Sequence, residues 1–123
     1  MKEKESDIQI ACNVLLNYLS NIYVFRHFHV PNEGKRSIFM HNKMKQMGLK
    51  AGVPDFIIEY PQAKLIYIEL KTKLGRLSDA QKLWKVQSEL YDTPHYIVKG
   101  TLSDCVEKVE HIIKSNIPMK KAS

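Results

Sequence analysis

Three observations predict that this sequence folds as a single α/β domain. Its length of 123 residues is enough for one compact domain with its own core. Apolar residues recur at helical spacing near both ends of the chain. Between these ends lie short segments that are rich in β-branched and aromatic residues and bounded by Gly or Pro, which is typical of strands. We therefore expect residues 1–123 to form one domain in which helices pack on a sheet.

The composition is that of a soluble globular protein. The apolar fraction of 44% and the charged fraction of 26% exclude disordered and fibrous classes. No apolar run is long enough to span a bilayer, and residues 1–5 are unlike a signal peptide, so we expect an intracellular protein without a membrane partner. Cys12 and Cys105 lie in apolar helical patterns, which favours buried thiols over a disulfide or a zinc site. The net charge of +6 suggests a polyanionic partner.

The first predicted element is an amphipathic helix from about Glu5 to Ser20. Its apolar stripe consists of Ile8, Cys12, Leu15, Leu16 and Leu19. Glu5 extends this core-facing stripe, which is an unusual place for a carboxylate. Two interpretations remain open: an acid of the first turn that the helix dipole favours, or an acidic group delivered to a site on the sheet.

A strand is predicted at residues 22–30, where β-branched and aromatic residues predominate. His27 and His29 share one face of it. Their spacing is compatible with zinc, but no other cluster of His or Cys completes a ligand set. A surface or nucleic-acid-facing role is therefore favoured. The Pro-Asn-Glu-Gly segment at residues 31–34 is predicted to form the turn that follows.

A one-sided basic block follows this turn, with no acidic residue between Gly34 and Pro54. Its cations are Lys35, Arg36, Lys43, Lys45 and Lys50. The methionines have the spacing of a short helix that ends at Gly48, and we expect them to be core residues: Met40, Met44 and Met47. The lysines are either a solvated face or a basic rim for a phosphodiester substrate. The rim is favoured, because the block leads directly into Asp55.

Residues 52–71 are predicted to form a β-hairpin that turns around Pro61. Alternation along the second arm places Glu69 and Lys71 on the same face. If residues 61–63 form a three-residue loop, Asp55 stands opposite Glu69 with their Cβ atoms ~5 Å apart. A loop of even length would place these two carboxylates on opposite faces of the sheet. We therefore expect an odd-length connection.

The rest of the chain continues the alternation of helices and strands. A basic loop at residues 72–76 contains Lys73 and Arg76. A helix is predicted from Ser78 to about Tyr91, then a strand at residues 95–98 and a closing helix at residues 102–113. The expected buried face of the first of these helices consists of Ala80, Leu83, Trp84, Gln87, Leu90 and Tyr91.

Gln81 has two interpretations. Ser78 and Gln81 have the spacing of a capping box, in which Ser78 is the N-cap and Gln81 is the N3 residue. The structure of the helix alone would then explain the glutamine. A role toward a substrate is the alternative, and it must rest on other grounds.

Two or three carboxylates beside a lysine on rigid strands suit metal-assisted hydrolysis of phosphodiesters. Carboxylate oxygens are hard ligands that favour Mg²⁺ or Mn²⁺ over zinc. Such an ion polarises the scissile phosphate and lowers the pKa of a bound water. Lys71 would orient that water or stabilise the pentacovalent phosphate. Asp55, Glu69 and Lys71 are therefore the predicted centre of the site.

These residues resemble a known nuclease signature. Pro54-Asp55 followed by Glu69-Leu70-Lys71 matches the PD-(D/E)XK motif. The wider context looks like the VRR-NUC branch of that superfamily. The matching segments are residues 52–55, 68–72 and 75–78 with Gln81, and also Glu5 with Gln9 and the turn at residues 31–34. The resemblance covers the chain from about Glu5 to Val98.

The resemblance implies a restriction-endonuclease-like core of order αβββαβ, a mixed sheet flanked by helices, to which this chain adds a C-terminal helix. It implies that Asp55 and Glu69 bind Mg²⁺ or Mn²⁺. Glu5 and the Leu70 carbonyl would complete the ligand set. Lys71 and Gln81 would act in catalysis. The residues expected to bind DNA are Lys35, Arg36, Lys43, Lys45, Lys50, Lys73 and Arg76.

Small stand-alone members of this family are similar to phage-encoded homodimers that act on branched DNA, including Holliday junctions. The leading hypothesis is therefore a structure-selective, metal-dependent DNA endonuclease in the cytoplasm or nucleoid of a bacterial host. Two alternatives remain: a non-catalytic nucleic-acid-binding module on a nuclease fold, and a restriction-type enzyme that reads duplex sequence. The acidic set with Lys71 counts against the binding module, since a binder has no need of carboxylates near phosphates.

Overall fold

The computed structural model describes residues 3–30, 38–116 and 120–122. In chain order its elements are helix α1 (Glu5–Ser20), strand β1 (Arg26–His29), helix α2 (Ile38–Gln46), strand β2 (Phe56–Tyr60), strand β3 (Lys64–Lys71), helix α3 (Asp79–Leu90), strand β4 (His95–Lys99) and helix α4 (Leu102–Ser115). This order confirms the predicted α/β class with a C-terminal helix. The turn predicted at residues 31–34, Lys35 and Arg36 lie outside the described residues. Among the described residues, no helix has the length and apolar character needed to cross a bilayer.

The strands form one mixed sheet in the order β1-β2-β3-β4. Strand β2 pairs antiparallel with β1 and β3, whereas β4 pairs parallel with β3. Tyr60 stands opposite Lys64, so residues 61–63 form the three-residue loop that the sequence predicts. Gln62 and Ala63 have φ angles of 67° and 60°, and this left-handed backbone closes the turn. The register of the hairpin is therefore confirmed.

Helices α1 and α4 pack against each other and cover one face of the sheet. Alternate residues of β2 and β3 point toward these helices and are buried, such as Phe56 and Ile68. Burial of each large apolar side chain contributes about 1.5–3 kcal/mol, so this layer is a rigid base for the sheet. Cys12 and Cys105 are buried free thiols within it, as predicted.

Helix α3 packs on the sheet with only part of the predicted face. Trp84 lies with its ring 6.1 Å from that of Tyr67, and Ser88 is buried. Of the other predicted positions, Ala80 is half-buried and four are solvent-exposed: Leu83, Gln87, Leu90 and Tyr91. The prediction was therefore correct for Trp84 and wrong at these four positions, because the helix is rotated relative to the expected orientation. The row that contains Gln81, Trp84 and Ser88 turns inward, because Gln81 contacts the sheet from the first turn.

Helix α2 also differs from the prediction. Met40 and Met47 are 47% and 77% exposed, so they are not core residues. Met44 is half-buried. Helix α2 is only nine residues long, and none of its described side chains joins the buried core cluster. The helical spacing of the methionines predicted the helix correctly but not its burial, because spacing does not show what lies opposite a helix.

Candidate metal centre

Three carboxylates from distant parts of the chain converge at one end of the sheet. Asp55 directly precedes β2, Glu69 lies on β3 and Glu5 begins α1. One oxygen from each carboxylate lies within 4.8 Å of those of the other two. Asp55 and Glu69 are 1% and 0% exposed, whereas Glu5 is half-buried. The geometric requirement on the loop is therefore met, and Glu5 occupies the position of an acid delivered to the sheet.

The Asp55 carboxylate is oriented by the backbone of the neighbouring strand. Its Oδ2 accepts a hydrogen bond of 2.7 Å from the Leu70 amide. The Leu70 side chain is fully buried in the core, so only the backbone of this residue can serve the centre. Metal binding by the Leu70 carbonyl stays a prediction.

Gly52 couples the segment before Asp55 to helix α3. Its φ is 84°, a left-handed value, and a Cβ at this position would lie 2.4 Å from the Ala80 carbonyl oxygen. Only glycine allows the backbone to approach α3 this closely. The approach holds Asp55 and the first turn of α3 at a fixed separation.

We expect Gly52→Ala to lower the free energy of unfolding by about 2–4 kcal/mol, because the added methyl group must push α3 away from residues 52–55. Gly48→Ala is the matched control, since Gly48 also has a positive φ, 111°, but has open space around it. Its expected cost is only ~1 kcal/mol of backbone strain. Urea unfolding of both variants measures the difference. Equal losses would contradict the steric argument.

Lys71 brings a largely buried ammonium group to the carboxylates. Its Nζ lies 3.9 Å from Oε2 of Glu5 and 3.9 Å from Oε2 of Glu69. At this distance the ammonium balances part of the negative charge without a close hydrogen bond to either carboxylate. Lys71 is thus positioned to donate a hydrogen bond to a ligand at the centre.

Gln81 serves the helix cap and the centre at once. Its backbone N–H donates to the Ser78 hydroxyl at 3.1 Å, and its side-chain Oε1 accepts from the Ser78 backbone N–H at 2.8 Å. Its Nε2 donates to Oε2 of Glu69 at 3.1 Å. The two interpretations of Gln81 are therefore compatible, because the two ends of one side-chain amide make the two contacts. A catalytic role for Gln81 stays a prediction.

The arrangement fits a hard divalent cation. Burial, and then the charge of Asp55, raises the pKa of Glu69 to about 9. Burial also raises the pKa of Glu5, and Lys71 opposes that shift. Within the described part of the chain, Oε1 of Glu69 is buried and has no hydrogen-bond partner. This oxygen could coordinate a cation, which would also relieve the repulsion between the carboxylates. Carboxylates are ligands that Mg²⁺ and Mn²⁺ accept.

His29 lies beside this centre, although the sequence did not show it. Its Nδ1 lies 2.7 Å from the backbone carbonyl oxygen of Asp55. This contact joins residues that are 26 positions apart, and its acceptor is a backbone oxygen that every residue has. The sequence therefore contains no motif that would predict it. The group of described residues that could hold a metal consists of Glu5, Asp55 and Glu69, so neither His29 nor His27 joins it.

Comparison with known proteins identifies the family. The model of the VRR-NUC domain matches residues 1–89, which is more than half of the chain. The chain belongs to the VRR-NUC domain family. A solved structure described as a VRR-NUC domain protein is similar at 23% identity and a TM-score of 0.64, over 93% of this chain and 91% of that one. A second, described as a VRR-NUC domain, is similar at 14% identity and a TM-score of 0.57, over 89% of this chain and 94% of that one. No curated protein matches significantly.

The shared architecture is that of the nuclease-like core, so this VRR-NUC domain has a nuclease-type fold. The cations that were predicted to bind DNA and that the structure describes are all exposed: Lys43, Lys45, Lys50, Lys73 and Arg76. The first two lie near the end of α2, and the last two lie in the loop between β3 and α3. Their binding to DNA stays a prediction.

Proposed function

We propose that this VRR-NUC domain is a DNA endonuclease that requires Mg²⁺ or Mn²⁺. The observation that carries the proposal is the convergence of Glu5, Asp55 and Glu69 around a buried, unpartnered carboxylate oxygen, with the Lys71 ammonium beside them. A phosphodiester suits this centre, because a cation and an ammonium can contact its oxygens together. The nuclease-type fold supports the same reaction class.

Asp55 and Glu69 would hold the cation, with Glu5 and the Leu70 carbonyl as further ligands. Three ionised carboxylates and one ammonium leave a charge of −2 in the centre, which one divalent cation balances. When bound, Mg²⁺ or Mn²⁺ supplies Lewis acidity to the scissile phosphate and a water of lowered pKa. The charge and the ligand type both favour these ions.

The surrounding side chains position the reacting groups. Lys71 donates a hydrogen bond to the attacking water or to a phosphate oxygen on which negative charge develops. Gln81 donates a hydrogen bond to Oε2 of Glu69, which leaves the unpartnered Oε1 available to bind a cation. The Leu70 amide holds Oδ2 of Asp55 in the same way. The carboxylates are thus oriented before any ligand arrives, which lowers the cost of binding one.

We further propose branched DNA, such as a Holliday junction, as the substrate. The exposed cations lie in two segments, one at and after the end of α2 and the other in the loop after β3. Cations of this kind bind phosphates irrespective of base sequence, so they suit recognition of DNA shape better than recognition of a sequence.

A cleavage panel tests this function. Wild type and Glu69→Ala are incubated with a labelled four-way junction, a flap and a linear duplex in the presence of Mg²⁺ or Mn²⁺. We expect wild type to cut the junction and Glu69→Ala to leave it intact. Equal inactivity of the two proteins with binding retained would favour a non-catalytic binding module. Defined cuts in linear plasmid would favour a restriction-type enzyme.

We also propose that two copies associate through an exposed face of α1. Ile10, Val14 and Tyr18 follow one another at four-residue intervals and are 65%, 64% and 62% exposed. No charged residue occurs at residues 8–25, so two copies of a chain with a net charge of +6 can meet here without local repulsion. Glu5 lies at one end of α1. Antiparallel contact about Val14 would therefore separate the two centres by roughly 25–30 Å along the helix axis.

We expect Val14→Lys to convert the dimer to a monomer, because it would place two ammonium groups at the centre of a symmetric contact. Analytical ultracentrifugation measures the mass. Val86→Lys is the control, since Val86 lies on α3 and is similarly exposed at 59%. This control should keep the dimeric mass. A dimeric Val14→Lys protein would contradict the α1 interface.

A further inference from the structure

We propose that His29 is a positioning residue that fixes the backbone of Asp55 for cation binding. This inference deepens the proposed metal centre and rests on it. His29 does not join the carboxylate cluster. Its expected effect acts through Asp55, whose carboxylate is almost completely buried in that cluster.

The pairing of β1 with β2 ends one residue short of Asp55. The last pair of this ladder is His29 with Phe56, and the two rings lie edge to face with centroids 5.9 Å apart. Asp55 follows Pro54, which has no amide hydrogen and restricts the local backbone. The orientation of the Asp55 peptide therefore depends on hydrogen bonds beyond the regular ladder.

Two donors from the β1 side meet at the Asp55 carbonyl. The Nδ1 of His29 donates at 2.7 Å, and the amide of Val30 donates at 3.2 Å. From the other side of the strand, the Leu70 amide donates to the Asp55 carboxylate at 2.7 Å. Asp55 is thus held from both neighbouring strands, its carbonyl by one and its carboxylate by the other.

Loss of the His29 hydrogen bond would remove the shorter of the two hydrogen bonds that reach the Asp55 carbonyl from the β1 side and would keep the longer one, from the Val30 amide. The peptide after Asp55 would then rotate more freely, and the carboxylate would meet the cation less often in its binding orientation. Groups that orient a metal ligand in this way typically change metal affinity by 10–100-fold. Because Val30 still donates to the same carbonyl, we expect the lower end of this range, about tenfold.

The test compares Mn²⁺ affinity in variants that differ in the position of the donor. His29→Ala removes the donor. His29→Asn keeps a side-chain N–H at the same bond separation from the backbone as Nδ1, whereas His29→Gln moves it one bond further out. His111→Ala is the control, since His111 is an exposed residue of α4 away from the centre. Isothermal titration calorimetry gives the affinity, and urea unfolding without metal reports on the fold.

We expect His29→Ala and His29→Gln to weaken Mn²⁺ binding about tenfold, and His29→Asn and His111→Ala to stay within about twofold of wild type. If His29→Ala does not fold, the contrast between Asn and Gln carries the test. Wild-type affinity in His29→Gln, or equal weakening in Asn and Gln, would overturn the positioning role. Failure of the wild type to bind Mn²⁺ would overturn the proposed metal centre itself, and the inference with it.

Discussion

Replacement of Lys71 by Met is expected to reduce cleavage of a four-way junction by about 10²–10⁴-fold while Mn²⁺ binding persists. The Lys71 ammonium lies 3.9 Å from carboxylates of the centre, where it can donate to a water or a phosphate oxygen. Met is one atom shorter than Lys and keeps an unbranched apolar stem in the buried site, but it has no donor. The loss should fall on kcat. Mn²⁺ affinity should stay the same or rise, because the ammonium repels the cation.

Lys73→Met is the control for this effect. Lys73 lies two residues further on but is exposed in the loop after β3. Its loss should weaken DNA binding and reduce the salt dependence of KM, with less than about a tenfold change in kcat. Single-turnover cleavage over a range of salt concentrations separates these outcomes. A Lys71→Met enzyme with nearly wild-type kcat would remove Lys71 from the catalytic groups.

Glu69→Gln is expected to make the metal-free protein more stable at neutral and alkaline pH and insensitive to Mg²⁺. In the wild type, burial and the charge of Asp55 raise the pKa of Glu69 from 4.5 to about 9. Between these two pH values, Glu69 therefore keeps its proton in the folded protein but has lost it in the unfolded chain. The stabilisation is fully present below pH 4.5 and is lost as pH rises toward about 9. A neutral Gln avoids the loss, with an expected gain of about 1–3 kcal/mol near pH 8.

Thermal unfolding between pH 5 and pH 9, with and without Mg²⁺, measures this effect. Wild type should gain more from Mg²⁺ as pH rises, because the cation replaces the proton on Glu69. In Glu69→Gln the part of the pH dependence that comes from Glu69 should disappear, which leaves the smaller part from Glu5, and the Mg²⁺ effect should be lost. Glu110→Gln is the control, since Glu110 pairs with Lys114 on the surface of α4. A Glu69→Gln protein that Mg²⁺ stabilises as strongly as wild type would contradict Glu69 as a ligand.

The hairpin could be predicted from the sequence because its geometry depends on residues that are close along the chain. A three-residue loop and the two-residue alternation of a strand are sufficient to bring Asp55 and Glu69 to the same side. The capping box of α3 is equally local, since Ser78 and Gln81 belong to one helical turn. Periodicity also located α1 with its exact observed bounds, Glu5–Ser20.

Burial was predicted less well, because periodicity describes a helix but not its neighbours. The apolar residues of α3 and the methionines of α2 have helical spacing, yet Leu90 and Met47 are 83% and 77% exposed. On α3, the polar Gln81 and Ser88 face the sheet instead. The rotation of α3 depends on the contact between Gln81 and Glu69, and no local pattern contains that contact.

The sequence by itself predicted the hairpin and showed that a loop of odd length would place Asp55 on the same face as Glu69 and Lys71, and the observed register confirms that length. Only the tertiary structure showed that Glu5 lies beside the two carboxylates of the hairpin. It also showed that Gln81 contacts Glu69 while it caps α3. It also placed His29 against the Asp55 carbonyl. The physical reason is that strand register follows from local hydrogen bonding, whereas the meeting of α1, β1 and α3 with the hairpin depends on how buried surfaces pack across the whole chain.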